Sequence, residues 1–131
     1  MASIILNDVD PTSQRLLRSQ LERHGHNVWL AGDLNEIVAI LHDVVIDLMI
    51  LDLDRQNPDE LLMFADRWKG ILILFQASCM EFWEDFRCWI ADEIVCKNHS
   101  GENIARVVSQ LLQEKKKINK RRCNDDFLIQ R

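Results

Sequence analysis

Between Asp47 and Asp52 the chain reads Leu-Met-Ile-Leu, an apolar run with a carboxylate at each end. A strand with one wet face would alternate apolar and polar residues. An unbroken apolar run means both faces are covered, as in a strand inside a parallel sheet. The run stops at Asp52-Leu53-Asp54. Acids at the C-terminal end of such a strand stand where open α/β sheets bind their ligands. Ser3-Ile4-Ile5-Leu6 runs into Asn7-Asp8-Val9-Asp10 in the same way. Two strands therefore bring acids to one edge of the predicted sheet.

The remaining segments fit the same plan. Residues 4–6 form a first strand. Asp10 suits an N-cap and Pro11 the first turn of a helix, with Leu16, Leu17 and Leu21 on its inner face and Gly25 near its end. Residues 27–30 make a second strand. Asp33 caps a second helix that turns Leu34, Ile37, Val38 and Leu41 inward. The third strand is read over 44–51. Pro58 and Asp59 open a third helix with Leu61, Leu62, Ala65 and Trp68 facing inward, and Gly70 closes it. Strand four spans 71–75, an aromatic-rich fourth helix 80–90, and strand five 93–96. Ser100 caps a fifth helix with Ile104, Val107, Val108, Leu111 and Leu112 on its buried side. Parallel strands need crossover helices, and those crossovers are right-handed. The pattern predicts an α/β doubly wound sheet of five parallel strands.

Bulk properties narrow the function. The 131 residues suit one domain over 1–113, followed by a basic helical extension or flexible tail over 114–131. That tail holds seven of the chain's 16 Lys and Arg and three of its 21 Asp and Glu, which leaves nine bases against 18 acids in the body. An acidic body disfavours nucleic acid as its partner, because phosphate contacts need Lys and Arg. The basic run 115–122 reads as a solvated linker. No apolar stretch reaches the roughly 20 residues that span a bilayer, and no basic segment precedes the first apolar run. Cys79, Cys88, Cys96 and Cys123 have no metal-ligand spacing and no CxxC pair, so free thiols in a cytoplasmic protein are expected. His24, His26, His42 and His99 share no ligand or triad spacing and read as surface residues.

Acid after strand one, Asp after strand three and Lys after strand five, in that order, resemble the receiver domain of two-component response regulators. The phrases that carry the resemblance are Ile4-Ile5-Leu6-Asn7-Asp8-Val9-Asp10-Pro11, Leu21-Glu22-Arg23-His24-Gly25-His26-Asn27-Val28, Asp47-Leu48-Met49-Ile50-Leu51-Asp52 and Ala91-Asp92-Glu93-Ile94-Val95-Cys96-Lys97. Together they cover about residues 3–113. The resemblance implies a flavodoxin-like (βα)5 fold with strand order 2-1-3-4-5. It implies a non-enzymatic phosphorelay domain acting on protein partners, with a sensor histidine kinase upstream. Asp52 then takes the place of the phosphoacceptor. Mg²⁺ would be held by Asp8, Asp52 and the carbonyl of Asp54, because a hard cation offsets the charge that opposes phosphoryl transfer to a carboxylate. Lys97 would pair with the phosphoryl group, Gln76 stands at the position of a hydroxyl that hydrogen-bonds it, and Ile94 stands at the aromatic switch position.

Several residues depart from that pattern. The second acid of the usual pair falls on Val9, and neighbouring residues in an extended segment point apart, so Asp10 is no automatic substitute. Gln76 is larger than a hydroxyl residue and would crowd a phosphoryl group. Ile94 has no polar-tipped ring. Asn98 follows Lys97 where proline is usual, and a cis bond before a non-proline residue costs about 2.5–4 kcal/mol, so trans is expected. Pro58 falls two places late and Glu60 replaces a glycine. These departures favour an atypical receiver with weakened Mg²⁺ binding and weak or absent phosphoryl acceptance at Asp52. The alternative is a conventional phospho-accepting receiver.

Two further readings follow. In the fourth helix Trp83, Phe86 and Trp89 suit either a broad buried face or an aromatic patch for a partner or homodimer, on the surface of helix four, strand five and helix five that the family often uses. Asp8-Val9-Asp10-Pro11-Thr12 also resembles the motif of haloacid dehalogenase-type phosphatases, in which Asp8 would attack and Asp10 would serve as general acid.

Overall fold

The computed structural model describes residues 2–8, 10–52, 60, 70–77, 92–96 and 104–114. The described elements are, in chain order, β1 (Ser3–Leu6), α1 (Pro11–Arg23), β2 (Asn27–Leu30), α2 (Leu34–Asp43), β3 (Leu48–Asp52), β4 (Leu72–Ala77) and β5 (Glu93–Cys96). A further helix runs over 104–114. The five strands form one sheet in the order β2-β1-β3-β4-β5. Every pairing is parallel. This is the doubly wound arrangement expected from the sequence pattern, in the strand order that the family resemblance implies.

Local chemistry sets the element boundaries. The Asp10 carboxylate accepts the Thr12 N–H at 3.2 Å, which caps α1 ahead of Pro11. Gly25 has φ 87°, a left-handed turn that a side chain would strain, and the chain leaves α1 there for β2. At α2, Asp33 accepts the Glu36 N–H at 2.8 Å while the Glu36 carboxylate accepts the Gly32 N–H. This reciprocal cap satisfies backbone donors that the first turn leaves open.

The pleat divides the core into two layers. Ile5, Met49, Leu51, Ile73, Phe75 and Ile94 face α2 and pack on Ile37. Ile4, Leu6, Leu48, Ile50, Leu74 and Val95 face the other way, onto Leu17 and Leu21 of α1 and onto Ile104, Val108 and Leu111. Strands three and four thus serve both layers, which is why their sequence is apolar without alternation.

Some boundaries and faces differ from expectation. Leu16 and Val38 lie on the solvent side of their helices. Each is one position from a residue that packs inward, and 100° of helical rotation separates them. The third strand begins at Leu48, and Val45 is 86% exposed in the connection before it. The fourth extends to Ala77, two residues beyond the predicted end. Of the predicted helix over 58–69 only Glu60 is described, in helical conformation and exposed; the predicted helix over 80–90, the Ser100 cap and the tail beyond Glu114 lie outside the described residues. Among the described residues no helix is long and apolar enough to cross a membrane.

His26 is half-buried, not a surface residue. Its Nδ1 accepts the Ala2 N–H at 3.2 Å, so the ring must be unprotonated at that atom. Burial chiefly, with nearby positive charge that includes His24, lowers its pKa from 6.5, and Asp47 opposes the shift. A lowered folded-state pKa means that the unfolded chain takes up the proton first as pH falls. The stability contributed by neutral His26 is therefore full above 6.5 and lost on acidification below it. Denaturation midpoints measured at about pH 7.5 and about pH 5.5 should fall further in the native chain than in His26→Gln. An equal fall in both would remove His26 from the acid response.

Candidate functional site

The C-terminal ends of β1, β3 and β4 bring together Asp8, Asp52 and Gln76. Register does most of this. Leu6 pairs with Ile50, and the Asn7 N–H continues the ladder to the Ile50 carbonyl at 2.8 Å. On the other side of β3, Asp52 stands directly opposite Gln76. Side chains in register on neighbouring parallel strands leave the sheet on the same face. Asp52 is 0% exposed, Gln76 1% and Asp8 6%.

Polar groups this deeply buried need partners. Asp8 Oδ1 accepts the Asp10 N–H at 3.0 Å. Its second oxygen is buried with no hydrogen-bond partner among the described residues, and the same holds for the Gln76 amide nitrogen. Among the described residues, this edge of the sheet thus presents an unanswered acceptor and an unanswered donor. Hard cations take oxygen ligands, and the free carboxylate oxygen of Asp8 next to the buried Asp52 suits one. Among the described residues no cluster of three or more His, Cys, Asp or Glu side chains could hold a metal.

Asp10 does not join the pocket. It is exposed, and its carboxylate serves the α1 cap, so it is not held ready as the general acid of a phosphatase. Ile94 is buried, but on the α2 side of the sheet, where it stands opposite Phe75 in register. That is the face away from Asp52 and Gln76. Lys97, Asp54, Val9, Asn98 and the aromatic residues Trp83, Phe86 and Trp89 lie outside the described residues.

One residue of the site escaped the sequence reading. Asn7 is buried and bonded on both sides: its Nδ2 donates to the Ala31 carbonyl at 2.9 Å, and its Oδ1 accepts the Asp52 N–H at 3.3 Å. The available signal was an amide at the end of an apolar run, followed by an acid.

No protein-family profile matches the sequence, and no curated protein does. Solved structures match across most of the chain. TrrA, a response regulator of Thermotoga maritima solved in complex with Mg²⁺-BeF, is 23% identical, with TM-score 0.74 over 85% of this chain and 99% of that one. TrrA in complex with the histidine kinase ThkA matches at the same 23% identity and TM-score 0.74, over 86% and 99%. A CheY-like receiver domain of Methanospirillum hungatei is 16% identical with TM-score 0.78 over 89% and 98%. An orphan response regulator of H. pylori is 12% identical with TM-score 0.73 over 83% and 94%. The chain has the fold of response-regulator receiver domains.

Proposed function

We propose that this chain is a receiver-like signalling domain that acts by protein contact, with Asp52 at the phosphoacceptor position and phosphoryl acceptance weak or absent. The observation that carries this reading is the Asp52–Gln76 register pair. Where the family places a small hydroxyl, a buried amide side chain stands directly beside the acceptor. It supplies a donor but takes up the volume that an incoming phosphoryl group needs. The metal side is thinner as well. Asp8 and Asp52 fit a hard cation, and Val9 supplies no third carboxylate. Bound Mg²⁺ would offset the charge of the acids and of the phosphoryl group, and fewer carboxylates weaken that hold.

Ile94 supports the same conclusion. An aliphatic residue packed in the α2-side core offers no polar tip to follow a change at Asp52. Under this reading the domain is not an enzyme and works in the cytoplasm, with 1–113 as the receiver-like body and 114–131 as a basic extension. Its partners would be a histidine kinase, as ThkA is for TrrA, or a protein or second copy docked on the aromatic segment near Trp83, Phe86 and Trp89. Lys97 and the Asp54 carbonyl would complete the pocket.

Incubation with acetyl phosphate and Mg²⁺, read by intact mass, tests the chemistry. Little or no phosphoryl gain is expected. Gain of one phosphoryl group by nearly all molecules, absent in Asp52→Asn, would make this a conventional receiver. Hydrolysis of a small phosphate ester that Asp8→Asn abolishes and Asp52→Asn leaves intact would make it a phosphatase.

A further inference from the structure

The geometry points to Asn7 as a positioning residue that holds Asp52 on the sheet edge and couples the charge there to the start of α2. The inference rests on the receiver-like reading only in taking Asp52 as the residue whose charge state changes.

At Asn7 the backbone N–H still bonds the Ile50 carbonyl, and the side chain adds a bond in each direction. Toward β3, Oδ1 accepts the Asp52 N–H at 3.3 Å. Toward β2, Nδ2 donates to the Ala31 carbonyl at 2.9 Å. Both bonds are buried, where partners polarise one another and a missing one is costly. Only a side chain that donates and accepts at once can make this bridge. Aspartate, of the same shape, would keep the acceptor and lose the donor. Leucine would lose both.

The bridge reaches further than Ala31. The Ala31 carbonyl and the Gly32 N–H belong to one planar peptide unit, so tilting one end tilts the other. The Gly32 N–H donates to the Glu36 carboxylate in the first turn of α2, and Asp33 caps that same turn. A continuous run of bonds therefore leads from the Asp52 backbone through Asn7 and the Ala31–Gly32 peptide into α2. It emerges on the α2 side of the molecule and does not pass through Ile94. A domain without the aromatic switch still has a connected route from its acceptor position to a surface helix.

Amide NMR of the full chain tests this without any phosphoryl transfer. Asp52→Asn removes the charge and keeps the backbone donor. It should shift the Gly32, Asp33 and Glu36 amide resonances in the native background and leave them unmoved when Asn7→Leu or Asn7→Asp is already present. Hydrogen exchange separates the two bonds. In Asn7→Leu the Asp52 amide should exchange about tenfold faster relative to Leu51, while in Asn7→Asp it should stay protected. Loss of structure alone would speed both amides together. If Asn7→Leu does not fold, Asn7→Asp decides the coupling by itself. Unmoved α2 resonances in Asp52→Asn, or shifts that persist in the Asn7 variants, would overturn the proposal. Both outcomes are independent of whether acetyl phosphate modifies Asp52, so failure here and failure of the receiver-like reading are distinguishable.

Discussion

Asp8→Asn is expected to stabilise the metal-free protein by about 1–2 kcal/mol. Asp8 is buried, one carboxylate oxygen accepts the Asp10 N–H, and the other has no hydrogen-bond partner among the described residues. A second buried carboxylate, Asp52, stands at the end of the adjacent strand. Asparagine retains an oxygen for the Asp10 N–H and removes one of the two negative charges. Urea denaturation in the presence of a chelator measures the gain. Added Mg²⁺ should then narrow it, because a ligand that binds the folded state stabilises it by mass action and should bind the variant less. A less stable variant in chelator would mean that the second Asp8 oxygen has a strong protein partner and that the pocket is already neutralised from within.

Phe75→Ala is expected to cost about 3–5 kcal/mol, a large part of the roughly 5–15 kcal/mol that holds a domain of this size folded. Phe75 is 1% exposed at the centre of β4, with Leu51 opposite on β3 and Ile94 opposite on β5. Removing its ring opens a cavity between three strands and the α2 layer, and the pleated backbone has little freedom to close it. The shift in urea midpoint at unchanged slope gives the value. A cost below about 1 kcal/mol would mean that this layer repacks freely. The neighbouring Gln76 would then have no firm backbone to hold it beside Asp52.

The two substitutions probe different levels of the same edge. Asp8 tests the charge that the strands deliver, and Phe75 tests the packing that keeps those strands in register. Asn7 joins the levels, because its amide is both part of the sheet's hydrogen bonding and the support of Asp52.

Much of this arrangement is determined by local sequence. An apolar run such as Leu48–Leu51 can only be buried on both faces, and an acid at its end can only lie at the sheet edge. Asp10 and Asp33 mark their helices because a short carboxylate next to a first turn satisfies backbone donors that nothing else nearby can reach. The acidic edge and the places of Asp8 and Asp52 at strand ends follow from signals of this kind, whereas the strand order and the position of Gln76 were expected only from the family resemblance. Where two helix positions differ by one step, as Leu16 does from Leu17 and Val38 does from Ile37, composition alone could not separate the inner face from the outer. Only the docking of α1 and α2 on the sheet decided it.

Tertiary structure alone also decided the partners. Gln76 lies against Asp52 through a register set 24 residues apart in the chain. Ile94 turns to the α2 layer because of the phase of the β5 pleat against β4. His26 has a partner because the fold brings the Ala2 N–H to its ring. Asn7 acquires its role only when Ala31 and Asp52 arrive on either side of it. Hydrogen bonds of this kind depend on distances of a few tenths of an ångström between segments remote in sequence. Residue type shows what a side chain can donate or accept; only the packed sheet brings it a partner.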